Sequence, residues 1–278
     1  MSRSSPSAVS SPSAVREERA AQIHPSAIID RSAKVPASCR IGPFCVIGAD
    51  VELGEDCELI SHVTVHGPSK IGAHNRIFPF ASIGFEPQDL KYKGEKTRLE
   101  IGDHNVIREY VTMNRGTVGG GGVTRLGSHC LFMAYCHVAH DCVVGDHVIM
   151  ANAATLAGHA TIEDYATVGA FSAVHQFTRV GAHAYIGGGT IITRDVLPFS
   201  KTSAAREAKA YGVNSIGLER RGFSKERIVQ IQRAYRVLLN SKLNTSQALE
   251  KLRAEGKHGE DVAMLLRFIE TSERGTIK

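Results

Sequence analysis

The 278-residue chain contains 33 Lys and Arg against 28 Asp and Glu, with 42% hydrophobic residues, 6% aromatic residues and no Trp. That hydrophobic fraction can fill a sizeable core, which argues against wholesale disorder. No run of 18 apolar residues occurs, so a transmembrane helix is excluded. The N-terminal stretch lacks the apolar region of a secretory signal, and we therefore expect a cytoplasmic protein.

The chain begins with a Ser- and Pro-rich stretch whose composition predicts a disordered tail over residues 1–20. A six-residue repeat follows, in which every sixth residue is apolar. The register runs through 23–83, 101–113 and 126–192, and all 26 of its positions are apolar. Two loop excursions, at 84–100 and 114–125, interrupt it.

The position four residues after each repeated apolar residue is mostly small, and all six cysteines occupy it. One large and one small inward residue per hexad indicate a short strand followed by a tight corner. Three hexads close a triangular coil of 18 residues, and successive coils stack in parallel. The pattern predicts an all-β solenoid over 21–197. Its buried thiols would pack as small hydrophobes, which disfavours disulfides, zinc ligation and a nucleophilic cysteine.

Past the last hexad the apolar period becomes helical. Ser224 can cap one helix, Asn244 and Gln247 can begin another, and the apolar spacing of 262–269 fits a third. We therefore expect a C-terminal helical domain over 198–278 that caps the open end of the solenoid. This domain holds 16 Lys and Arg against 9 Asp and Glu, so an acidic partner should bind here.

Several of the thirteen histidines fall at corners of the predicted coil, where a solvated turn residue is the usual interpretation. The corner histidines are His74, His104, His129, His147, His159 and His183. A cluster of four histidines favours a functional site over that interpretation. His137 and His140 share one coil with Asp141, and His159 and His175 lie on the next two coils. Their imidazoles can therefore line one groove, although a structural ladder of polar residues is the alternative.

The cluster contains the parts of a proton-transfer site. Imidazole can take a proton from an alcohol at neutral pH. Asp141 can fix the tautomer of His140, and Gly158 can offer an unobstructed backbone N–H to a developing oxyanion. Direct attack of a substrate hydroxyl on a thioester requires only these groups.

Six segments carry a family resemblance. They are 137–142 (HVAHDC), 88–92 (QDLKY), 156–159 (LAGH), 173–177 (AVHQF), 212–214 (GVN) and 220–223 (RRGF). In this combination the chain resembles, over about 22–278, the hexapeptide-repeat acyl-carrier-protein–UDP-N-acetylglucosamine O-acyltransferases, which begin lipid A synthesis. The resemblance implies a left-handed parallel β-helix with a C-terminal α-helical domain. Two features depart from the family pattern, the segment 199–211 and Ile216 at a position where a Glu is expected.

The resemblance also implies an activity. A 3-hydroxyacyl chain would pass from acyl carrier protein to the 3-hydroxyl of UDP-N-acetylglucosamine, with His140 as general base, Asp141 as its orienting partner and Gly158 as oxyanion donor. The acyl chain would be carried as a thioester on the phosphopantetheine of acyl carrier protein, with no other cofactor and no metal. A homotrimer is implied, with no nucleic-acid partner and no integral membrane segment.

Further residues correspond to substrate contacts of the family. Asn214, Arg220 and Arg221 would bind the nucleotide or the phosphopantetheine. Gly188 stands where the family sets its acyl-chain ruler, and a glycine there leaves room for a longer chain. The remaining substrate contacts would be Asp89, Lys91, His137, His159, His175 and Gln176.

Three alternatives stay open at this point. A related sugar-nucleotide N-acyltransferase, or an enzyme acylating a 3-amino sugar nucleotide, would share the base and the fold. A trimeric zinc hydrase on the same prism, with three His ligands from two subunits, would use His137 and His140, and a measurement of bound zinc distinguishes it. A structural or binding solenoid would lack the polar groove.

Overall fold

The computed structural model describes residues 22–203, 209–240, 243–256 and 258–277. The predicted tail over 1–20 lies outside the described residues. Most of the described chain winds into a parallel β-helix with three sheets, which confirms the predicted solenoid. Partner residues along each sheet are 18 apart wherever no excursion intervenes, as in the row His137, Thr155 and Ala173. One coil therefore consists of three hexads.

Each sheet collects one strand from each coil. Sheet A contains β1 (Gln22–Ile23), β3 (Arg40–Ile41), β6 (Glu58–Leu59), β9 (Arg76–Ile77), β12 (Val106–Ile107), β15 (Leu131–Phe132), β18 (Ile149–Met150), β21 (Thr167–Val168), β24 (Tyr185–Ile186), β26 (Ser200–Ser203) and β27 (Lys209–Val213). Sheet B contains β2 (Ile28–Ile29), β4 (Val46–Ile47), β7 (Thr64–Val65), β10 (Ser82–Phe85), β13 (Thr112–Asn114), β16 (His137–Val138), β19 (Thr155–Leu156), β22 (Ala173–Val174) and β25 (Ile191–Ile192). Sheet C contains β5 (Val51–Leu53), β8 (Ser69–Ile71), β11 (Arg98–Ile101), β14 (Val123–Leu126), β17 (Val143–Val144), β20 (Thr161–Ile162) and β23 (Arg179–Val180).

The repeated apolar residues form the core of the prism. Every one of them from Ile41 to Ile192 is buried, whereas Ile23, Ile29 and Val35 in the first coil are partly exposed. Among the described residues the first coil has a neighbouring coil on one side only, which explains the difference. All six cysteines are buried and free, as predicted, and burial raises the pKa of the Cys136 thiol to about 12.

The corners explain the histidines differently from the sequence-based interpretation. Five of the six corner histidines join Tyr165 in one ladder of stacked rings, and His159 lies at another corner. Adjacent centroids in this ladder are 4.5–4.9 Å apart. From Asp56 onward the residue at this corner adopts a left-handed backbone, with φ between 57° and 59° for these five histidines. Because successive coils repeat the corner geometry at the strand spacing, the rings stack, which the sequence-based interpretation did not include. His74, His104 and His129 are nevertheless exposed turn residues, as that interpretation expected.

The C-terminal part contains four helices, α1 (Ser215–Arg220), α2 (Lys225–Asn240), α3 (Thr245–Glu255) and α4 (Glu260–Glu270). The predicted starts are confirmed, since Ser224 caps α2 and a capping box of Asn244 and Gln247 begins α3. Within the predicted helical domain over 198–278, the first helix begins only at Ser215, because β26 first extends sheet A in parallel and β27 pairs antiparallel to it. No described helix is long and apolar enough to cross a membrane.

The end of the chain covers the last coil. Ile277 packs into the prism core, and Asp195 forms a β-bridge with Thr276. Asp195 also accepts hydrogen bonds from Arg179 and Ser272. These contacts hold the C-terminal residues over the edge on which the predicted site lies.

Candidate active site

The predicted catalytic residues lie on the edge where sheets B and C meet, called here the B–C corner. Both excursions leave the prism on this edge, as 86–97 between β10 and β11 and as 115–122 between β13 and β14. The turns 139–142, 157–160 and 175–178 follow in the next coils. Because coils stack in register, the two excursions and the three turns form one continuous surface along the prism.

A histidine–carboxylate pair stands at the centre of this corner. Nδ1 of His140 lies 2.8 Å from Oδ2 of Asp141. Nε2 of His159 lies 3.7 Å from the same oxygen, and the two imidazoles meet edge to face with centroids 5.3 Å apart. The Asp141 side chain is 1% exposed and that of His140 is 17% exposed. An ionised carboxylate only accepts hydrogen bonds, so Nδ1 of His140 carries a proton and Nε2 remains free to accept one.

The Gly-rich excursion provides further donors to Asp141. The backbone N–H of Thr117 donates to Oδ1 at 2.8 Å, and its hydroxyl donates to Oδ2 at 2.6 Å. The backbone N–H of Asp141 donates to the buried hydroxyl oxygen of Thr124 at 2.8 Å. Sequence analysis did not identify either threonine. The available signal was the Gly-rich break in the hexad register directly before the HVAHDC coil.

Gly158 lies directly beneath the imidazole of His140. A Cβ added at residue 158 would stand 2.6 Å from Cε1 of His140, which is closer than real Cβ atoms approach. Within the described part of the chain, no acceptor is bound to the backbone N–H of Gly158. The glycine therefore makes room for the base and leaves an unused donor beside it.

His137 and His175 flank the pair on either side. His137 shares a 2.7 Å hydrogen bond between Nδ1 and the hydroxyl of Thr112, and burial, with His140 nearby, lowers its pKa. His175 is exposed, and its Nδ1 lies 3.1 Å from a guanidinium nitrogen of Arg274. Gln176 is exposed on the same turn. The contact with Arg274, a residue from the chain end, was not predicted.

Asp89 and Lys91 lie on the first excursion, which a buried arginine anchors. The Asp89 carboxylate accepts a hydrogen bond from the Lys91 backbone at 2.9 Å, whereas the Lys91 side chain is exposed. The Arg115 side chain is 7% exposed and donates to the carbonyl of Gly84 and the hydroxyl of Tyr92. Arg115 thus binds the chain on both sides of Asp89 and Lys91.

The other predicted contacts lie on different corners of the same chain. Gly188 stacks against Ala170 at the corner between sheets A and B, where an added Cβ would meet the Ala170 carbonyl oxygen at 3.1 Å. Asn214 caps α1 and donates to the carbonyl of His183, at the corner between sheets C and A. Arg221 lies over the ring of Tyr165 at that corner, at 5.5 Å from its centroid.

Arg220, in the last turn of α1, is exposed. A single chain therefore brings together the contacts on the B–C corner, but it leaves Gly188 at a second corner and the residues around α1 at a third. The residues proposed from the sequence do not form one pocket within this chain.

Three atoms at the site have the spacing of metal ligands. One potential ligand atom from each of His140, Asp141 and His159 lies within 4.8 Å of the other two. Oδ2 of Asp141, however, already accepts from Thr117 and His140, so a metal ion would have to displace these hydrogen bonds. The set has one carboxylate and two histidines, and it is not the three-histidine set of the zinc hydrase alternative.

Comparison with known proteins places this geometry in a family. Residues 195–277 match the model described as Udp N-acetylglucosamine O-acyltransferase, domain 2, and residues 124–158 match the bacterial transferase hexapeptide model. The chain is 48% identical over 209 residues to the acyl-[acyl-carrier-protein]–UDP-N-acetylglucosamine O-acyltransferase of Myxococcus xanthus, covering 75% of this chain and 81% of that protein. The protein of the same name from Xanthomonas euvesicatoria is 50% identical over 217 residues, with 78% and 82% covered.

The chain belongs to this O-acyltransferase family. Solved structures agree, since the UDP-N-acetylglucosamine O-acyltransferase of Moraxella catarrhalis superposes with a TM-score of 0.89 at 44% identity, covering 92% of this chain and all of that one (100%). The UDP-N-acetylglucosamine acyltransferase of Arabidopsis gives a TM-score of 0.77 at 32% identity, with 93% and 99% covered. The family resemblance inferred from the six segments is confirmed.

Proposed function

We propose that this protein transfers a 3-hydroxyacyl chain from acyl carrier protein to the 3-hydroxyl of UDP-N-acetylglucosamine, the first step of lipid A biosynthesis. The supporting observation is the His140–Asp141 pair, with its 2.8 Å hydrogen bond, directly above Gly158. Relatives 48% and 50% identical to this chain are named acyl-[acyl-carrier-protein]–UDP-N-acetylglucosamine O-acyltransferase. The pair supplies a base, and the glycine supplies a backbone donor beside it.

The mechanism follows from the protonation of His140. Nε2 removes the proton of the substrate hydroxyl as its oxygen attacks the thioester carbonyl carbon, and Asp141 stabilises the imidazolium that forms. The backbone N–H of Gly158 donates to the developing oxyanion. The tetrahedral intermediate collapses by breaking the C–S bond, and the imidazolium returns its proton to the departing phosphopantetheine thiolate. No covalent enzyme intermediate is needed.

We also propose a homotrimer in which neighbouring prisms complete the site. The proposed substrate contacts divide between the B–C corner, Gly188 at the corner between sheets A and B, and Asn214 with Arg221 at the corner between sheets C and A. One ligand cannot reach three edges of one prism. Cyclic packing of identical prisms brings different corners of neighbours together at each interface.

The family's related reactions remain the second candidates. An amine at position 3 of the sugar would be acylated by the same base, so the acceptor decides between O- and N-acylation. Purified protein should be incubated with a panel of 3-hydroxyacyl carrier proteins and either UDP-N-acetylglucosamine or its 3-amino analogue, with products identified by mass spectrometry. Acylation of the amino sugar alone would contradict the proposed acceptor. Stoichiometric bound zinc with hydrase activity would contradict the acyltransferase proposal.

The role of His140 is tested by substitution. We expect His140→Ala to keep its thermal unfolding midpoint and to lose acyl transfer by about 10²-fold or more, the size expected of a positioned base. His129→Ala is the matched control, because His129 lies in the ring ladder of another corner. Near-normal activity in a well-folded His140→Ala variant would remove His140 from the role of base.

A further inference from the structure

We propose that Thr117 is a positioning residue, which fixes the Asp141 carboxylate and through it the His140 imidazole. This inference rests on the proposed function only in assigning His140 as the base. Positioning of Asp141 would be the role of the Gly-rich excursion at 115–122, which appears in the hexad pattern only as an interruption.

Thr117 holds both oxygens of the carboxylate. Its backbone N–H donates to Oδ1 of Asp141 at 2.8 Å and its hydroxyl donates to Oδ2 at 2.6 Å. His140 donates to Oδ2 from the other side at 2.8 Å. Two bonds from one residue fix the plane of the carboxylate, and the third bond transmits that orientation to the imidazole. The Asp141 side chain is 1% exposed, so water cannot replace these donors.

The direction of the hydroxyl bond is set by the excursion itself. Thr117 is the N-cap of a short 3-10 turn (Val118–Gly120), and the Gly120 N–H donates to its hydroxyl oxygen at 3.2 Å. Since an amide N–H is only a donor, the hydroxyl accepts this bond and directs its own proton to the carboxylate. The turn therefore makes Thr117 an obligatory donor to Asp141.

Glycine is required where the excursion crosses the carboxylate. A Cβ at residue 120 would stand 2.1 Å from Cγ of Asp141, and a Cβ at residue 116 would stand 2.8 Å from its Oδ1. The backbone can approach this closely only without side chains. The glycines thus let the excursion cover the carboxylate with backbone and exclude solvent from it.

The excursion also replaces a contact that other coils make with the main chain. The N–H of the corner residue His159 donates to the carbonyl of His140 in the preceding coil. At Asp141 the preceding turn has been displaced by the excursion, and the buried hydroxyl of Thr124 accepts the N–H instead, at 2.8 Å. Asp141 is held through both its backbone and its carboxylate by threonines of the same excursion and its following strand.

The hydroxyl of Thr117 should therefore influence proton transfer as well as geometry. Each donor to the carboxylate disperses its negative charge. With one donor fewer, the carboxylate would hold a protonated His140 more strongly, so the base would remain protonated to higher pH. The acidic limb of the pH dependence of kcat/KM should move upward. A residue that merely stabilised the fold would not move that limb.

The test compares Thr117→Val, which keeps the backbone N–H and the branched shape, with Thr117→Ser, which keeps the hydroxyl. We expect Thr117→Val to lower kcat roughly ten- to hundredfold, the range for a hydrogen bond to a charged group, and to shift the acidic limb upward. KM for UDP-N-acetylglucosamine should change less than twofold. Thr117→Ser should recover most of kcat and the original limb. Thr167→Val, on sheet A, is the control for loss of a strand threonine hydroxyl.

Two results would overturn the proposal. One is a Thr117→Val variant with near-normal kcat. The other is a loss of activity accompanied by an unchanged acidic limb and no recovery in Thr117→Ser, which would indicate a structural role. A second readout does not require the proposed reaction. ¹⁵N spectra of the His140 ring, assigned with His140→Ala, should change at Nδ1 in Thr117→Val and remain as in the wild type in Thr117→Ser. Unchanged spectra refute the positioning role, whereas absent acyl transfer with the expected spectra refutes only the proposed function.

Discussion

At residue scale, the imidazole of His140 fills the space next to Gly158 that a Cβ would occupy. The position of the ring therefore requires glycine at residue 158. A methyl group at residue 158 would stand 2.6 Å from Cε1 of His140, so the imidazole would have to move from its position against Asp141. This shift displaces the proposed base and leaves the buried core unchanged.

We therefore predict that Gly158→Ala lowers kcat by about 10²-fold, the size expected when a positioned base is displaced, while the thermal unfolding midpoint falls only slightly. Steady-state kinetics and scanning calorimetry check this. Gly94→Ala is a control in the first excursion for the loss of a glycine, since no atom lies within 4 Å of its added Cβ, although its φ is +88°. Normal kcat in Gly158→Ala would show that the position of the His140 ring against Gly158 is not needed.

His183 gives a residue-scale prediction about acid stability. Burial, with the positive charge of Arg221, lowers its pKa to about 4 from an ordinary value of 6.5. As the pH falls, His183 therefore becomes protonated near pH 6.5 in the unfolded chain but only near pH 4 in the folded chain. Stability linked to this group is complete above pH 6.5 and declines as the pH falls toward 4, by at most about 1.4 kcal/mol per pH unit.

We predict that His183→Phe, which keeps a ring stacked between Tyr165 and Phe199, loses less thermal stability than the wild type between pH 7 and pH 5. Unfolding midpoints at both pH values measure the difference. His129→Phe, in the exposed part of the same ladder, is the matched control. If the unfolding midpoint falls equally between pH 7 and pH 5 in the wild type and in His183→Phe, His183 does not contribute to the loss of stability in acid.

At the scale of elements, Arg115 fastens the excursion that carries Asp89 and Lys91. Its guanidinium bonds Gly84 and Tyr92 and lies 3.3 Å from a carboxylate oxygen of Glu86. We predict that Arg115→Met loosens residues 86–97, because Met retains the apolar stem of the side chain without its donors. Hydrogen exchange should rise in that segment, and KM for the sugar nucleotide should rise about tenfold.

Arg98→Met is the matched control for this prediction, since Arg98 is exposed and pairs with Glu100 at the surface. If hydrogen exchange of residues 86–97 is as slow in Arg115→Met as in the wild type, Arg115 does not anchor the excursion. A rise in KM without any change in exchange would place Arg115 in direct contact with the substrate.

The C-terminal element carries the positive charge of the chain, and Arg220 is exposed at the end of α1. If acyl carrier protein binds here, Arg220→Ala should raise KM for the acylated carrier several-fold and leave KM for UDP-N-acetylglucosamine within twofold. Added salt should lower kcat/KM for the carrier by screening. Arg236→Ala on α2 is the charge-matched control. An unchanged carrier KM with flat salt dependence would move the carrier site to the prism.

At the scale of the whole molecule, the proposed contacts occupy three corners of a prism, and the proposed homotrimer would unite corners of neighbouring prisms. We predict a homotrimer in native mass spectrometry. We also predict that co-expressed His140→Ala and Asn214→Ala subunits, each inactive alone, recover activity in mixed trimers. Random mixing would restore about one quarter of the sites if each site combines residues from two subunits. A monomeric active enzyme, or no recovery on mixing, would contradict the shared site.

Much of this architecture was determined by the sequence itself. A period of six over 23–192 requires a flat strand and a corner in each hexad, so the coil, its core residues and the buried cysteines could all be predicted locally. The histidine–aspartate pair could also be predicted, because His140 and Asp141 are adjacent in the chain and His159 follows by about one coil. Repetition makes distant contacts predictable whenever the register is unbroken. The left hand of the coil, by contrast, came only from the family resemblance.

The tertiary structure decided what lies where the register breaks. Thr117 and Arg115 are in or beside excursions whose lengths do not reveal their paths, so their bonds to Asp141 and Tyr92 could not be predicted from spacing. The corner histidines stack in a ladder because successive coils repeat a left-handed residue at the same corner, a geometric fact that composition does not contain. Gly188 and Asn214 were grouped with His140 by the family pattern, yet the triangular cross-section places them on other corners. Sequence order fixes position along the prism, whereas the closure of each coil fixes which edge a residue occupies.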